Sequence, residues 1–449
     1  MLIFSLFCFA TCYGQNQLSR KQAWEDIDSL VAKIESVHYN PYLHLSKKVF
    51  CQKVEEVKKS IPDSLGFESL LLKMYAITAV LEDGHSMPYL VQPQIKANLA
   101  EADFLPFKLV FDKGSAYIKA PEEGLLHGAN ILSVNGLSTK AAVKEFSALL
   151  GGSAYYKKEM AERLFGYFLF LKGIRPPFKI TYTTTGKNVN TKTVDKGITF
   201  KEALHQSMPH LNNSNSFKLL NTKTAYLDFL SMNGSLDAWG NFLDSAFTSV
   251  RKDKVETVLV DIRNNPGGNS VFANYLLAYI TRKKFLLASG KCWRISADMK
   301  KVQQENGETN PEYQSKENGT NWCREFCEPQ ENPVVADSVF TGKVYLLTGP
   351  FTFSSANMLA DAIKTFKLGT VIGTPTGEYT NDFGETLVFS LPHSNIKIQT
   401  TTSFEYGANC NRTISETVKP DITITPTLAD KLSETDTILL RILKIAGSR

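Results

Sequence analysis

The chain has 449 residues, enough for two or three domains and a substantial core. With 43% hydrophobic and 21% charged residues it is neither disordered nor fibrous. The net charge of +5 is spread along the chain and forms no basic stripe, which argues against a nucleic-acid partner.

The apolar run from Met1 to Gly14 stops at Gln15. It is too short to span a bilayer and reads as a secretory signal peptide, residues 1–14, cleaved near Gly14. No Lys or Arg precedes it, and Cys12, after Phe9-Ala10-Thr11, fits a lipidation site poorly. No later segment approaches membrane-spanning length, so the expectation is an extracytoplasmic protein, periplasmic or secreted, without an anchor. Cys51, Cys292, Cys323, Cys327 and Cys410 remain after cleavage. In an oxidising compartment, pairing within the Cys292–Cys327 region is expected. Cys323 and Cys327 have no clustered histidines beside them, so a disulfide or free thiol is favoured over a metal site.

Residues 15–100 read as an amino-terminal helical domain. Trp24, Ile27, Leu30, Val31 and Ile34 fall on one helix face, and Pro41 ends that run. Val49, Phe50, Val54, Val57 and Ile61 repeat the pattern after a Ser46 cap. A third helix, from Ser64 through Phe67, Leu71, Met74 and Ile77, ends at Leu81. Glu82-Asp83-Gly84-His85-Ser86 follows, a turn whose single histidine, taken alone, reads as a surface residue.

Residues 101–190 are β-rich. Leu105–Phe111 and Ala116–Lys119 are short strands; Gly128–Gly136 is a strand closed by an Asn-Gly turn, with a helix from Ser138 to Leu150. The glycine before the strand and the Asn-Gly after it resemble a PDZ module, which takes an extended peptide as an added strand. A generic small β-rich domain is the alternative. Ser153 to Leu171 reads as one long aromatic-rich helix, and Phe178 to Thr183 as a returning strand.

Residues 215–449 alternate strand and helix, which argues for an α/β core with both sheet faces covered. Thr224–Leu230, Val258–Ile262 and Val344–Leu347 are apolar strands; Leu236–Val250 and Ser270–Ile280 are helices. Residues 289–333 form a polar insertion holding three of the cysteines, read as a lid, a partner-docking surface or a surface decoration. A hairpin, Leu387–Leu391 with Ile396–Thr401, and a closing amphipathic helix around Ile438, Leu439, Ile442 and Leu443 complete this part.

Chemistry concentrates in two places. Thr348–Phe353 is a turn leaving an apolar strand, and it carries Ser354 to the start of a helix of small and apolar residues. A hydroxyl there sits beside the free N–H groups of the helix start, where an oxyanion can be stabilised; the bland alternative is that Ser354 or Ser355 is only an N-cap. At the end of another apolar strand stands Asp261-Ile262-Arg263-Asn264-Asn265-Pro266-Gly267-Gly268. Two glycines can bring bare backbone N–H groups close to a reacting centre, although Pro-Gly-Gly is also an ordinary turn.

Asp261 to Gly268, then Thr352-Phe353-Ser354-Ser355-Ala356-Asn357, then Gly373-Thr374-Pro375-Thr376-Gly377, resemble the three ordered signatures of the C-terminal processing (tail-specific) serine proteases. The resemblance implies a mixed-sheet α/β core of the ClpP/crotonase-like kind with covering helices, preceded by the helical domain and the PDZ-like module. It puts Ser354 at the nucleophile position and Gly267, Gly268 and Ser355 at the oxyanion hole. Members with a Ser–Lys dyad carry a lysine just after the third signature, where this chain reads Gly377-Glu378-Tyr379; the acidic residue usual after the nucleophile is Asn357. The branch resembling the tricorn protease core uses histidine, which implies His85 as general base. Glu416 occupies the neighbourhood where that branch keeps an acidic residue. No metal or organic cofactor is implied. The expected function is an exported serine endopeptidase acting on peptides or proteins. The alternative is a catalytically inactive peptide- or lipid-binding protein, since the same scaffold serves as a carrier in interphotoreceptor retinoid-binding protein.

Overall fold

The structure, a computed structural model, describes residues 17–90, 92, 101, 103–120, 123–184, 188–208, 214–413 and 415–448. The amino-terminal apolar run and its expected cleavage site lie outside the described residues.

Strands buried on both faces build the central sheet. Its strands lie in the order Ser216–Asn221, Thr224–Asp228, Thr257–Asp261, Lys343–Thr348, Thr370–Gly373 and Ile422–Thr423. The first pair is antiparallel and the rest are parallel. Val258, Val260, Val344 and Leu346 face one layer, with the helices Leu236–Lys252, Val271–Ile280 and Ser355–Thr365. Leu259, Tyr345 and Leu347 face the other, where Ile438 and Ile442 of the helix Thr437–Ser448 cover them. Burial on both faces is why these strands read as unbroken apolar runs. Each such side chain, fully buried, contributes about 1.5–3 kcal/mol.

A second, antiparallel sheet stands beside the first, in the order Asn321–Glu325, Gly290–Arg294, Lys397–Tyr406 and Asp382–Ser390. The last two strands are the expected hairpin, but each runs further than its apolar residues suggested. The polar insertion at 289–333 supplies two strands of this sheet and two helices, Ala297–Glu305 and Pro311–Ser315. Cys292 and Cys323 are directly opposite in its register and form a disulfide. Met87 and Pro88 add a short strand against Gln399 and Ile398. That pairing carries the turn before it from the amino-terminal helices to the carboxy-terminal part of the chain.

The amino-terminal helices Arg20–Val37, Lys47–Lys59 and Phe67–Thr78 form as expected, with Ser46 accepting from the Val49 N–H. Trp24 and Val49, expected in the core, are 40% and 49% exposed; the Trp24 indole instead donates to the Lys58 carbonyl at the edge between two helices. The β-rich part is an antiparallel sheet, Leu109–Asp112, Ser115–Ile118, Asn130–Val134, Phe178–Thr183 and Val189–Val194, with the helix Thr139–Ser147 packed on it. The long helix expected over 153–171 is two helices, Ala154–Arg163 and Phe165–Leu171. Leu164 departs from helical geometry (φ −91°, ψ 15°), and the second helix, apolar all round, sinks into the core.

Candidate active site

Asn265, in the loop that follows the strand Thr257–Asp261, fixes the first arm of the site. Its side chain is buried; Nδ2 donates to the Phe229 carbonyl at 2.7 Å, and Oδ1 accepts the Gly267 N–H at 2.8 Å. Its carbonyl accepts the Phe353 N–H at 3.1 Å, joining this loop to the turn that bears Ser354. Gly267 (φ +95°) lies so close that a Cβ there would come within 2.6 Å of the Ser354 Cβ. Only a glycine lets the two loops approach like this.

Ser354 itself is strained, at φ 52° and ψ −131°. A non-glycine residue at positive φ is uncommon, and such strain collects at functional turns. Ser46, Ser138, Ser153, Ser235 and Ser296 each cap a helix by accepting a backbone N–H through the hydroxyl. Ser354 stands at the same position of the helix Ser355–Thr365 and makes no capping bond. Its neighbour Ser355 is committed to structure, donating through Oγ to the Gly268 carbonyl at 2.6 Å.

His85 arrives from the other end of the chain. Gln399 donates to its carbonyl at 3.0 Å, and its backbone N–H donates to Asp83 Oδ1 at 2.8 Å. The ring packs on Phe353 at 4.7 Å between centroids, and Phe353 in turn stacks on Tyr156 at 4.2 Å. A Cβ at Gly84 would meet the Phe353 ring at 2.7 Å, so this contact needs the glycine. His85 and Ser354 line one cavity of about 400 Å³, together with Gly268, Ser355, Glu378, Asp382 and Lys291. Among the described residues neither ring nitrogen of His85 has a hydrogen-bond partner. A buried imidazole left unpartnered at a cavity wall is unusual in a structural histidine.

Carboxylates surround the ring. Asp83 Oδ1 and Glu378 Oε1 lie 3.7 and 3.6 Å from His85 Nδ1, ion-pair approaches rather than hydrogen bonds. Asp83 is fully buried, and its Oδ2 is held by His38 Nε2 at 3.1 Å, Ser86 Oγ at 2.5 Å and Thr401 Oγ1 at 2.8 Å. The Asn40 N–H donates to His38 Nδ1, so Nε2 carries the proton that Asp83 accepts. Burial opposes charge on His85, but Asp83, Glu378 and Asp382 outweigh it and hold the imidazole up at about 9. Glu378 is raised well above the usual carboxylate range by burial, against the pull of His85. Asp382 is raised to about 7, first by burial and then by the Asp83 charge. Lys291 is unsuited to accept a proton: burial works against its charge, yet Glu405 and Glu385, at 2.7 and 2.6 Å, keep it protonated.

Two expected site residues are elsewhere or otherwise engaged. The Glu416 side chain is 56% exposed and pairs with Lys419 on the surface, and the carboxylates facing the imidazole are Asp83 and Glu378. The Gly267 N–H, expected at the oxyanion hole, is spent on Asn265 Oδ1. Asn357 Nδ2 donates to the Tyr379 carbonyl, tying the helix to the loop of Glu378. The signal for Glu378 was its place just after the third signature, where the resemblance sets a lysine in Ser–Lys members; Asn265 lay inside the Asp261–Gly268 signature with no role of its own, and Asp382 and His38 carry no local signal. Among the described residues no group of three or more His, Cys, Asp or Glu side chains is arranged to hold a metal, and no helix is long and apolar enough to cross a membrane.

Comparison with known proteins adds to this geometry. Residues 223–424 match the model of peptidase family S41. Among solved structures, a serine-to-alanine variant of CPAF superposes with a TM-score of 0.65 at 14% identity, covering 95% of this chain and 96% of that one. Mature CPAF in complex with lactacystin gives 0.65 at 12% identity, covering 95% and 98%, and mature CPAF alone gives 0.64 at 13%, covering 96% and 98%. At these identities the likeness is one of fold. No curated protein matches the sequence significantly. The chain carries the peptidase family S41 domain of the tail-specific (C-terminal processing) proteases, and is a serine-type peptidase.

Proposed function

We propose that the chain is an exported endopeptidase in which Ser354 is the nucleophile and His85 the general base, acting without a lysine. The observation that carries this reading is the pairing, in one cavity, of a strained serine that makes no capping bond with an imidazole whose ring nitrogens, among the described residues, are buried without a hydrogen-bond partner. Ser354 Oγ attacks the scissile carbonyl while His85 takes its proton and later returns it to the leaving amine. The Gly268 and Ser355 N–H groups receive the negative charge that develops on the carbonyl oxygen. Asp83, itself held by His38, and Glu378 stabilise the imidazolium formed in that step. The substrate is a peptide or protein, docked by its tail on the PDZ-like residues 101–190 and cut by the core at 215–449, with 15–100 as a separate helical domain that delivers His85. Export is inferred from the apolar amino terminus, and the Cys292–Cys323 disulfide is in keeping with an oxidising compartment.

The test is labelling and turnover together. A fluorophosphonate should label Ser354, and Ser354→Ala should abolish labelling and lower kcat by about 10⁴-fold or more. His85→Ala should lower it comparably while the fold, read by circular dichroism, is kept. Unlabelled Ser354 with tight peptide or lipid binding and no turnover would instead make the protein a carrier.

A further inference from the structure

Among the described residues three cysteines remain outside the disulfide: Cys51, Cys327 and Cys410. Cys51 sits on the amino-terminal helix Lys47–Lys59. The other two have been brought together from segments far apart in sequence. Cys327 follows the strand Asn321–Glu325 and is exposed. Cys410 lies in a turn just after the strand Lys397–Tyr406, closed by its own N–H on the Gly407 carbonyl, and at φ +61°. Its sulfur donates to the Cys327 carbonyl at 3.7 Å. Arg412 fastens the same two segments, donating to the Ser289 carbonyl at 2.7 Å and approaching the Cys327 sulfur at 4.0 Å and Glu325 at 3.7 Å. Burial first, then the side-chain contact with Cys327, pushes the Cys410 thiol up.

We infer that Cys327 and Cys410 are a second disulfide-forming pair, which a small-molecule disulfide oxidises and which locks the 289–333 segment to the wall of the active-site cavity. Exposed Cys327 attacks one sulfur of the oxidant R–S–S–R and releases R–SH, leaving a mixed disulfide on Cys327. Cys410 then loses its proton, attacks the Cys327 sulfur and expels the second R–SH. Two protein thiols are oxidised and one disulfide is reduced.

The bond matters because of what its two ends hold. On the Cys410 side, Gly407 N–H donates to Asn381 Oδ1 at 2.8 Å, Asn381 Nδ2 donates to the Asn411 carbonyl at 2.7 Å, and Ala408 N–H donates to Asp361 Oδ2 at 2.7 Å. Asn381 lies between Glu378 and Asp382, both at the cavity. On the Cys327 side, the neighbouring strand Gly290–Arg294 carries Lys291 to the same cavity. Closing the bond ties the lysine-bearing strand to the loop of carboxylates and limits how far the cavity can open.

The full chain, incubated with oxidised glutathione or with dithiothreitol, is denatured, alkylated and mapped by peptide mass. Oxidation should yield a crosslinked Cys327–Cys410 peptide with Cys51 alkylated, and a Cys51→Ser variant should give the same crosslink. Amide exchange over residues 378–382 should slow on oxidation in the natural chain and not in Cys410→Ser. Separate alkylation or glutathionylation of Cys327 and Cys410, or a crosslink of either to Cys51, overturns the pairing. A crosslink that leaves exchange at 378–382 unchanged overturns the lock. The mass map of the natural chain decides the pairing even if a variant fails to fold. None of this depends on Ser354 being active, so a chain without turnover still answers the question.

Discussion

In the proposed mechanism, His85 sets the pH at which the site works. Its burial favours the neutral ring, but three carboxylates oppose that and hold the proton on to about 9. An imidazolium cannot accept the Ser354 proton, so kcat/KM should climb as pH rises through about 9, well above the ordinary histidine value near 6.5. Glu378→Gln removes one of the charges that retain the proton, so the rising limb should move to lower pH. The measurement is kcat/KM for a fluorogenic peptide across the range; a limb that stays put would assign it to another group. Asp83 has the opposite sign. Its carboxyl is held far below the usual range, by His38 and His85 against its burial, so its contribution to stability is present above about pH 4 and is lost as pH falls.

At the scale of elements, the helix Ala154–Arg163 touches every arm of the site. Its cap, Ser153, accepts the Tyr156 N–H and donates through Oγ to the Gly377 carbonyl at 2.6 Å. Tyr156 stacks on Phe353, and Arg163 bonds Asn264 at 2.9 Å while covering the Phe351 ring. Ser153→Ala loses a cap and a buried hydrogen bond, about 1 kcal/mol each. Urea unfolding should register about 2 kcal/mol, and kcat should fall because Gly377 carries Glu378; Ser153→Thr should restore both. This element also marks how far the sequence could be read. Caps such as Ser46 and the apolar runs at 258–262 and 344–347 are local signals, and they form as read. The break at Leu164 is not local, because it follows from the core into which Phe165–Leu171 must fit. The same holds for the proposed site: Ser354 was singled out from its turn, and His85 only through resemblance. Glu378 and Asp382 acquire their roles from the pairing of distant strands.

Over the whole molecule, the antiparallel sheet joins parts that the chain order separates. Its outer hairpin is stapled by Cys292–Cys323, which closes a loop with a sequence separation of 31. Such a loop contributes about 3–4 kcal/mol in the chain-entropy picture. Because the hairpin lies at the sheet edge, that contribution should be local. A Cys292→Ser, Cys323→Ser double variant should lose protection from amide exchange across 290–325, while the melting temperature of the core moves by a few degrees at most.

The short ladder of Met87 and Pro88 against Ile398 and Gln399 has a bearing on how the molecule is made. A ribosome delivers the imidazole early, but the strand from which it hangs comes almost last. Under the proposed mechanism, half-built copies therefore cannot digest their neighbours, because the base and the strand that holds its turn meet only once most of the chain has emerged.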